Sequence, residues 1–214
     1  MLSSFQTQLS DLRQKYLTIH VLAPLLILGA IVYFLLPDWE VSQPPGILAP
    51  QAPRLAALSG EQPISLGNYT LTPLAAYDVN ARVLARRHYY WGREANLAPV
   101  DLLLGWREMS DTATLKSFSF HLSNRWYTWS ARELPFSEDE IDQDLDNNHL
   151  IPSDDVIKAK LEHVRPGQII HIAGMLVKID GKDGYNWISS LNIGSTGGPL
   201  SCKLIYVLKV DVVK

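Results

Sequence analysis

The sequence predicts an N-terminal transmembrane helix followed by a mainly β (α+β) soluble domain, arranged as a small OB-like or related barrel with short helices. Three observations support this prediction. Residues 17–36 form an apolar run long enough to cross a bilayer. Residues 37–63 are rich in proline, and in residues 64–214 apolar and polar residues repeatedly alternate, as in half-buried strands. Bent strands with a helix between them favour a barrel; an SH3-like barrel and an open α+β sheet are the alternatives.

The apolar run, LTIHVLAPLLILGAIVYFLL, contains no Asp, Glu, Lys or Arg and is apolar on every side, unlike an amphipathic core helix. A cleaved signal peptide has a shorter apolar region that ends in small residues, and the following PDWEVSQPP offers no such site. Arg13 and Lys15 precede the run, and acidic residues follow it. The positive-inside rule therefore predicts residues 1–16 as a cytoplasmic tail, residues 17–36 as a single inner-membrane span, and a periplasmic C-terminal domain.

The segment of residues 37–63 contains six prolines and is predicted to be a semi-extended spacer. Residues 64–214 then have the length of one domain with a single core. The chain has one cysteine, so no intramolecular disulfide can form, and this fits either side of a membrane.

The strands of this domain are predicted in chain order from the alternation of apolar and polar residues. Residues 69–72 and 76–87 come first. Residues 117–131, SFSFHLSNRWYTWSA, predict an aromatic hairpin with a Ser-Asn turn. The last third is β structure again, with a bulge or bend at Gly174, a turn at DGKDG, and the strands YNWISSL and CKLIYVLKVDVV.

Two helices are predicted between these groups of strands. Ser137 and Glu140 have the spacing of a capping box at the start of the first helix. Ser153 or Asp154 can cap the second helix, VIKAKLEHV, and the Pro-Gly pair after it ends that helix.

The stretch DQDLDNNHLIP, residues 142–152, begins like a calcium-binding loop. Its aspartates match positions 1, 3 and 5 of an EF-hand, but Leu150 and Ser153 stand where positions 9 and 12 require ligands. His149 has no partner at zinc-ligand spacing, so a buried histidine bonded to backbone is expected. We predict an acidic, solvated helix end leading into a loop, with no metal and no cofactor. The weak metal candidates are Asp142, Asp144 and Asp146.

Cys202 is the candidate nucleophile. Its neighbourhood, GSTGGPLSCK, superficially resembles that of L,D-transpeptidases, but those enzymes have His-Gly-Cys where this chain has Leu-Ser-Cys. A cysteine nucleophile needs a base and an orienting group, and His149 or His171 are the candidate bases. The expectation is a half-buried cysteine that opens a strand without a catalytic role.

A basic strand with aromatic neighbours is a second candidate site. An OB-like barrel that binds nucleic acid needs a positive groove with exposed aromatic side chains. The net charge of the chain is −3 and residues 133–155 carry nine acidic and no basic residues, so nucleic acid is not the expected partner. The residues of this basic strand that we consider are Arg82, Arg86, Arg87, Tyr90 and Trp91.

Three segments resemble a family of bacterial single-pass membrane proteins whose activity is not known. They are ARVLARRHYYWGREANLAPVDLLLGWREMSD (81–111), RWYTW (125–129) and NNHLIP (147–152). The resemblance covers most of residues 75–210 and implies the anchor and the domain boundary, but no catalytic residue. The family has glycine after the tryptophan of LAPVDLLLGW, where this chain has Arg107, so the resemblance does not extend to a tight turn there.

The same motif also has a structural interpretation. Pro99 disfavours a helix before it, Asp101 can cap the next turn, and Asp111 can cap a short helix. A functional interpretation instead places Asp101, Trp106 and Asp111 around a groove, with Arg125 opposite.

The expected function is that of a membrane-anchored periplasmic binding or assembly module of an envelope complex, not an enzyme. Its expected partners are the membrane and other envelope proteins, and the sequence identifies no small-molecule ligand. Two alternatives stay open. One is a membrane-tethered Cys/His hydrolase, which an accessible Cys202 within hydrogen-bond reach of His149 or His171 would favour. The other is a nucleic-acid or nucleotide sensor that faces the cytoplasm.

Overall fold

The computed structural model describes Tyr16 and residues 18–29, 40–195 and 201–213. The chain divides into two compact units, Met1–Trp39 and Glu40–Lys214. In the first unit, residues 18–29 are helical (α1). Within the described ranges, no helix combines the length and apolar character needed to cross a membrane. Residues 17 and 30–36 of the predicted span, and residues 1–15 of the predicted tail, lie outside the described residues.

The second unit is mainly β with short helices, which confirms the predicted fold class at that level. Its strands are β1 (Arg54–Ala56), β2 (Ile64–Leu66), β3 (Tyr69–His88), β4 (Val100–Gly105), β5 (Phe118–Ser123), β6 (Trp126–Ala131), β7 (Leu145–Pro152), β8 (Ile169–Gly181), β9 (Asn186–Ile188) and β10 (Lys203–Val212). Its helices are α2 (Arg93–Leu97), α3 (Thr112–Leu115), α4 (Glu138–Gln143) and α5 (Asp155–His163), and Arg107–Ser110 form a 3-10 turn.

Five of these strands form a closed ring in the order β3, β4, β7, β10 and β8, because β8 also pairs with β3. All neighbours in the ring are antiparallel except β7 and β10, which are parallel. The register of β3 shifts between Pro73 and Ala75 and again between Val83 and Ala85, and such irregularities let a long strand bend around a barrel. Outside the ring, β1 and β2 pair with β3, and β9 pairs with β8. β5 pairs with β6 in a separate hairpin.

Apolar side chains from every strand of the ring share one core, because each strand turns alternate residues inward. Helix α5 adds Ile157 and Leu161 to this core. The β5–β6 hairpin packs on the other side of β4 and β7, in a second cluster with Leu103 and Leu145. Buried members of the first cluster include Tyr77, Val79, Leu102, Leu150, Ile172 and Val207.

The local helix signals of the sequence are present. Ser137 and Glu140 form the capping box of α4 through both reciprocal hydrogen bonds. The side chain of Asp154 accepts a hydrogen bond from the Ile157 backbone N–H at 2.8 Å and so caps α5.

The structure differs from the predicted proline-rich spacer. From residue 40 onward the segment packs on the barrel: the Val41 N–H donates to the Pro166 carbonyl at 2.8 Å, and the Ala49 N–H donates to the Ser110 hydroxyl at 3.0 Å. β1 pairs with β3. Proline removes backbone donors, but the remaining N–H groups still require partners, and the barrel supplies them.

The structure also differs from the predicted solvated helix end at residues 142–152. Helix α4 stops at Gln143, and residues 145–152 form β7, which lies between β4 and β10. Residues 146–149 are therefore buried although all four are polar. Such side chains need specific partners, because a buried polar group without one destabilises the fold.

Candidate functional site

A cleft of about 770 Å³ opens beside β7. Its walls come from the β3–β4 connection, the β5–β6 turn and the β8–β10 connection. Its lining includes Glu94 of α2, Arg125 of the turn, His149 of β7, Trp187 of β9, and Cys202, which directly precedes β10.

Arg125 is fixed by an ion pair with a fully buried carboxylate. Its Nη1 lies 2.6 Å from Oδ1 of Asp101 on β4 and also donates to the Ala98 carbonyl at 2.8 Å. Its Nε lies 3.7 Å from Glu94 Oε2. Because two acidic groups share this one guanidinium, Arg125 compensates the buried charge of Asp101 and is not a free cation for a phosphate.

The turn that carries Arg125 has a left-handed backbone. Asn124 and Arg125 have φ values of 52° and 64°, the pattern of a two-residue type I′ hairpin turn, one residue later than the predicted Ser-Asn turn. The Arg125 N–H donates to the Tyr89 hydroxyl at 3.0 Å, and the Tyr89 ring centroid lies 3.7 Å from the guanidinium carbon. These contacts hold an unfavourable conformation for arginine and thereby fix the side chain in the cleft.

His149 lies directly opposite Asp101 in the pairing of β4 with β7. Its Nδ1 is 2.9 Å from Asp101 Oδ1, a charge contact in which the N–H direction is not that of a hydrogen bond. The imidazole is 3% exposed, and its ring centroid lies 5.0 Å from that of Trp187. Burial disfavours the imidazolium, but contacts with Asp101 and Cys202 outweigh burial and raise the pKa of His149 to about 9. The ring is therefore charged at neutral pH.

Cys202 is half-buried and lines the same cleft as His149, whose pKa it helps to raise. The Asn147 side-chain amide donates to the Cys202 sulfur at 3.6 Å and to the Arg125 carbonyl at 3.0 Å. Carboxylate, imidazole and thiol thus follow one another in the order Asp101, His149, Cys202. This is the order in which an orienting group, a base and a nucleophile stand in hydrolytic triads.

A buried ion pair supports the segment that carries Cys202. Lys203 Nζ lies 3.1 Å from Asp146 Oδ1, and both side chains are fully buried. The Gly194 N–H donates to the other Asp146 oxygen at 3.2 Å, so Asp146 ties both the β8–β10 connection, at Gly194, and the start of β10, at Lys203, to β7. Burial raises the pKa of Asp146 to about 7, against the opposing effect of Lys203.

His171, the second candidate base, lies elsewhere. Its Nε2 is 2.9 Å from Asp78 Oδ2, and Asp78 also pairs with Arg54 at 3.0 Å. The hydrogen bond from His171 lowers the pKa of Asp78. Since the single cysteine of the chain is at the other histidine, His149 is the one that the fold brings to Cys202.

The predicted groove is only partly assembled. Asp101 and Arg125 do meet, although Asp101 lies within β4 and caps no turn. Trp106 is fully buried, and its indole N–H meets no acceptor in the described part of the chain. Asp111 caps α3 by accepting a hydrogen bond from the Thr114 N–H at 2.7 Å, which lowers the pKa of Asp111.

The residues of the predicted basic strand fall into two groups, those that form hydrogen bonds within the domain and those that are exposed on its surface. Arg82 is 3% exposed and donates to the Thr112 hydroxyl at 2.8 Å. Arg86 donates to the carbonyls of Glu162 and Val164. Arg87, Tyr90 and Trp91 are exposed, and Trp91 has 91% of its surface accessible. Two of the three arginines are thus engaged within the domain.

The three aspartates considered for a metal face three different partners. Asp142 accepts from the Trp129 indole N–H at 3.4 Å, Asp144 pairs with Arg107 at 3.2 Å, and Asp146 pairs with Lys203. Across residues 40–195 and the other described ranges, no group of three or more His, Cys, Asp or Glu side chains is placed to hold a metal ion.

Arg107 adopts φ +44°, so the turn after Trp106 forms even though the chain has no glycine there. Its Nη1 contact with Asp144 holds the side chain in place.

Sequence reasoning missed Trp187 and Asn147, and it did not join Asp101 to His149. One signal could have identified Asp101: it is the only charged residue in the otherwise apolar stretch VDLLLG, and a charge buried in a strand requires a partner.

Comparisons with models of known protein families, with curated proteins and with solved structures find no match for this chain. The family resemblance noted from the sequence stays a prediction.

Proposed function

We propose that residues 64–214 form an OB-type barrel that binds a saccharide in the cleft, and that residues 17–36 anchor this binding module in the inner membrane. Saccharide here means an uncharged, polar, ring-shaped ligand. The module would then serve an envelope complex from the periplasmic side.

The position of the cleft carries this proposal. In an OB barrel, ligands bind on the face of the second and third strands, between the first–second and fourth–fifth connections. Here the ring strands follow in the order β3, β4, β7, β8 and β10, with α5 between the third and fourth. The cleft lies on β7, the third strand, and is lined by Glu94 from the first connection and by Trp187 and Cys202 from the last.

The chemistry of the cleft favours a neutral ligand. Arg125 is neutralised by Asp101 and Glu94, so its guanidinium is not free to bind a phosphate. Trp126 and Trp187 offer half-buried aromatic faces, and Asn124 and Asn186 line the same space with amide groups. Aromatic faces combined with a few fixed hydrogen-bonding groups are typical of sites for small polar ligands. The same neutralisation argues against the nucleic-acid alternative.

Calorimetric titration of the full-length chain in detergent with chitotetraose, a neutral saccharide, tests the proposal. We expect saturable binding that Trp187→Ala weakens about tenfold or more, because stacking on one aromatic ring contributes about 1–3 kcal/mol. Trp91→Ala is the matched control, since Trp91 lies exposed and does not line the cleft. Absence of chitotetraose binding, together with salt-dependent binding of a single-stranded oligonucleotide, would refute the proposal.

The location has its own test. A Cys202→Ser variant with a new cysteine at the exposed Ser42 is labelled with a membrane-impermeant maleimide in intact spheroplasts. Labelling without lysis is expected for a periplasmic domain. Labelling only after lysis would place the domain in the cytoplasm and favour the sensor alternative.

A further inference from the structure

One feature of the cleft has no role in ligand binding. Asp101, His149 and Cys202 stand in series along its wall, and ligand recognition requires neither a thiol nor a buried imidazole there.

We propose that the cleft is also an acyl-transfer site, in which Cys202 is the nucleophile, His149 is the general acid and base, and Asp101 is the positioning residue. The substrate class is an oxygen ester carried by the bound ligand, an O-acylated saccharide. This inference rests on the proposed function in that the ligand of the cleft presents the ester.

Independent observations distinguish Cys202 from an isolated cysteine. His149 is almost completely buried, yet it lines the same cleft as the sulfur. Asp101 Oδ2 and Asn147 Oδ1 are also buried, and within the described residues neither atom has a hydrogen-bond partner. Buried polar atoms are almost always satisfied, so each exception requires an explanation, and a catalytic role is one. Among the described residues, two of the exceptions lie on the residues that contact His149 and the sulfur.

The contacts assign a role to each side chain. Asp101 lies 2.9 Å from Nδ1 of His149, so it holds the ring and compensates its charge, and Arg125 in turn holds Asp101. His149 exchanges a proton with the sulfur, because the thiolate is the nucleophilic form of cysteine. The Asn147 amide, 3.6 Å from the sulfur, orients the sulfur.

The reaction balances with water as its only co-reactant. The thiolate of Cys202 attacks the ester carbonyl carbon, a C–S bond forms, and the C–O bond breaks. The leaving alkoxide takes a proton from the His149 imidazolium and departs as an alcohol. Water then attacks the thioester and gives one proton to His149, the C–S bond breaks, and the carboxylic acid leaves and releases its remaining acidic proton to the solvent. The thiolate and the imidazolium are restored.

The chain contains a second histidine–aspartate pair that serves as a control for His149. His171 and Asp78 form a second histidine–aspartate pair with the same 2.9 Å separation, but the only cysteine of the chain lies at His149. If any histidine beside a carboxylate contributed to ester hydrolysis, the effect would therefore appear at both pairs. A contribution of the proposed site appears only at the first.

The test treats the full-length chain in detergent with p-nitrophenyl acetate. We expect a burst of p-nitrophenolate and an intact mass increased by one acetyl group, which neutral hydroxylamine removes because the bond is a thioester. Cys202→Ser abolishes the adduct. His149→Gln slows its formation by about 10²-fold or more, the usual contribution of a general acid–base group, and His171→Gln leaves the rate unchanged.

The positioning role of Asp101 requires a measurement that a mere loss of packing would not change. Asp101→Asn is expected to change the pH profile of p-nitrophenolate release as well as its rate, because the carboxylate sets the protonation range of His149. An unchanged pH profile would remove Asp101 from the proposal.

The outcomes separate the two proposals. If the wild-type chain binds chitotetraose but forms no hydroxylamine-sensitive adduct, acyl transfer is refuted and binding stands. If the adduct forms without chitotetraose binding, the saccharide proposal is refuted and the thiol chemistry stands. An adduct that forms equally fast in His149→Gln overturns the assignment of His149. The wild-type adduct decides the central point even if a variant does not fold.

Discussion

The buried pair of Lys203 and Asp146 allows a sharp test of how this fold holds its candidate site. In Lys203→Met the apolar stem is retained and the charge is removed, so Asp146 keeps the Gly194 N–H but loses its counter-ion. Breaking a fully buried pair on one side destabilises a protein by about 3–5 kcal/mol, because the remaining charge stays desolvated. We expect a loss of that size in the free energy of unfolding at pH 8.

The pH dependence of this loss follows from the raised pKa of Asp146, about 7. Lys203 opposes this rise, so in Lys203→Met the pKa of Asp146 lies higher still. At pH 5 the carboxyl group is therefore protonated in both folded proteins, and Lys203→Met leaves no buried anion without a partner. The destabilisation is therefore expected to be several-fold smaller at pH 5 than at pH 8. Urea unfolding of the wild type and the variant at both pH values measures this difference.

Lys160→Met is the matched control, because Lys160 pairs with Asp211 at 2.9 Å on the surface, where the two side chains are 49% and 42% exposed. That substitution is expected to change stability by about 0–1 kcal/mol. A loss below about 1 kcal/mol for Lys203→Met at pH 8, or equal losses in both variants, would refute the reasoning.

Three further predictions concern stability. In Gly174→Ala the new methyl group would overlap the Tyr206 carbonyl oxygen, so thermal unfolding should show a loss of about 1–3 kcal/mol; an unchanged melting temperature would contradict this close approach. Ser137→Ala removes the cap of α4 and should cost about 1 kcal/mol in urea unfolding, whereas no loss would show that the box with Glu140 contributes nothing. The pKa of Asp146 is higher in the folded chain than in the unfolded chain, so its contribution to stability is present below pH about 4 and is lost as pH rises through about 7. The stability of the wild type relative to Asp146→Asn should therefore fall over that range. A rise would contradict a raised pKa of Asp146 in the folded chain.

Signals that act over a few residues could be read from the sequence. The capping box of Ser137 and Glu140 and the cap at Asp154 are each completed within three residues, so composition and spacing suffice. The alternation along 76–87 likewise identified part of β3. The packing of residues 40–56 could not be predicted from the sequence. Proline content describes the local backbone, but it does not show that a strand distant in the chain will pair with this segment.

The candidate site depends on register, which the sequence does not specify. Asp101 and His149 meet because β4 and β7 pair with those two residues opposite, and Cys202 joins them because β10 pairs in parallel with β7 and places Leu204 beside His149. A shift of one residue would turn either side chain to the other face of the sheet. The residue types of the site were visible in the sequence, but their association required three strands to be placed.

The most direct test of the cysteine–histidine site compares the rates at which iodoacetamide alkylates Cys202 at pH 7 in the wild-type chain, which has no other cysteine, and in His149→Gln. His149 carries a positive charge at that pH, because its pKa is raised to about 9, and it lines the same cleft as the sulfur. Alkylation consumes the thiolate, so we expect His149→Gln to react about tenfold or more slowly than the wild type, and His171→Gln to react as fast as the wild type. Equal rates in the wild type and in His149→Gln would contradict the proposed site.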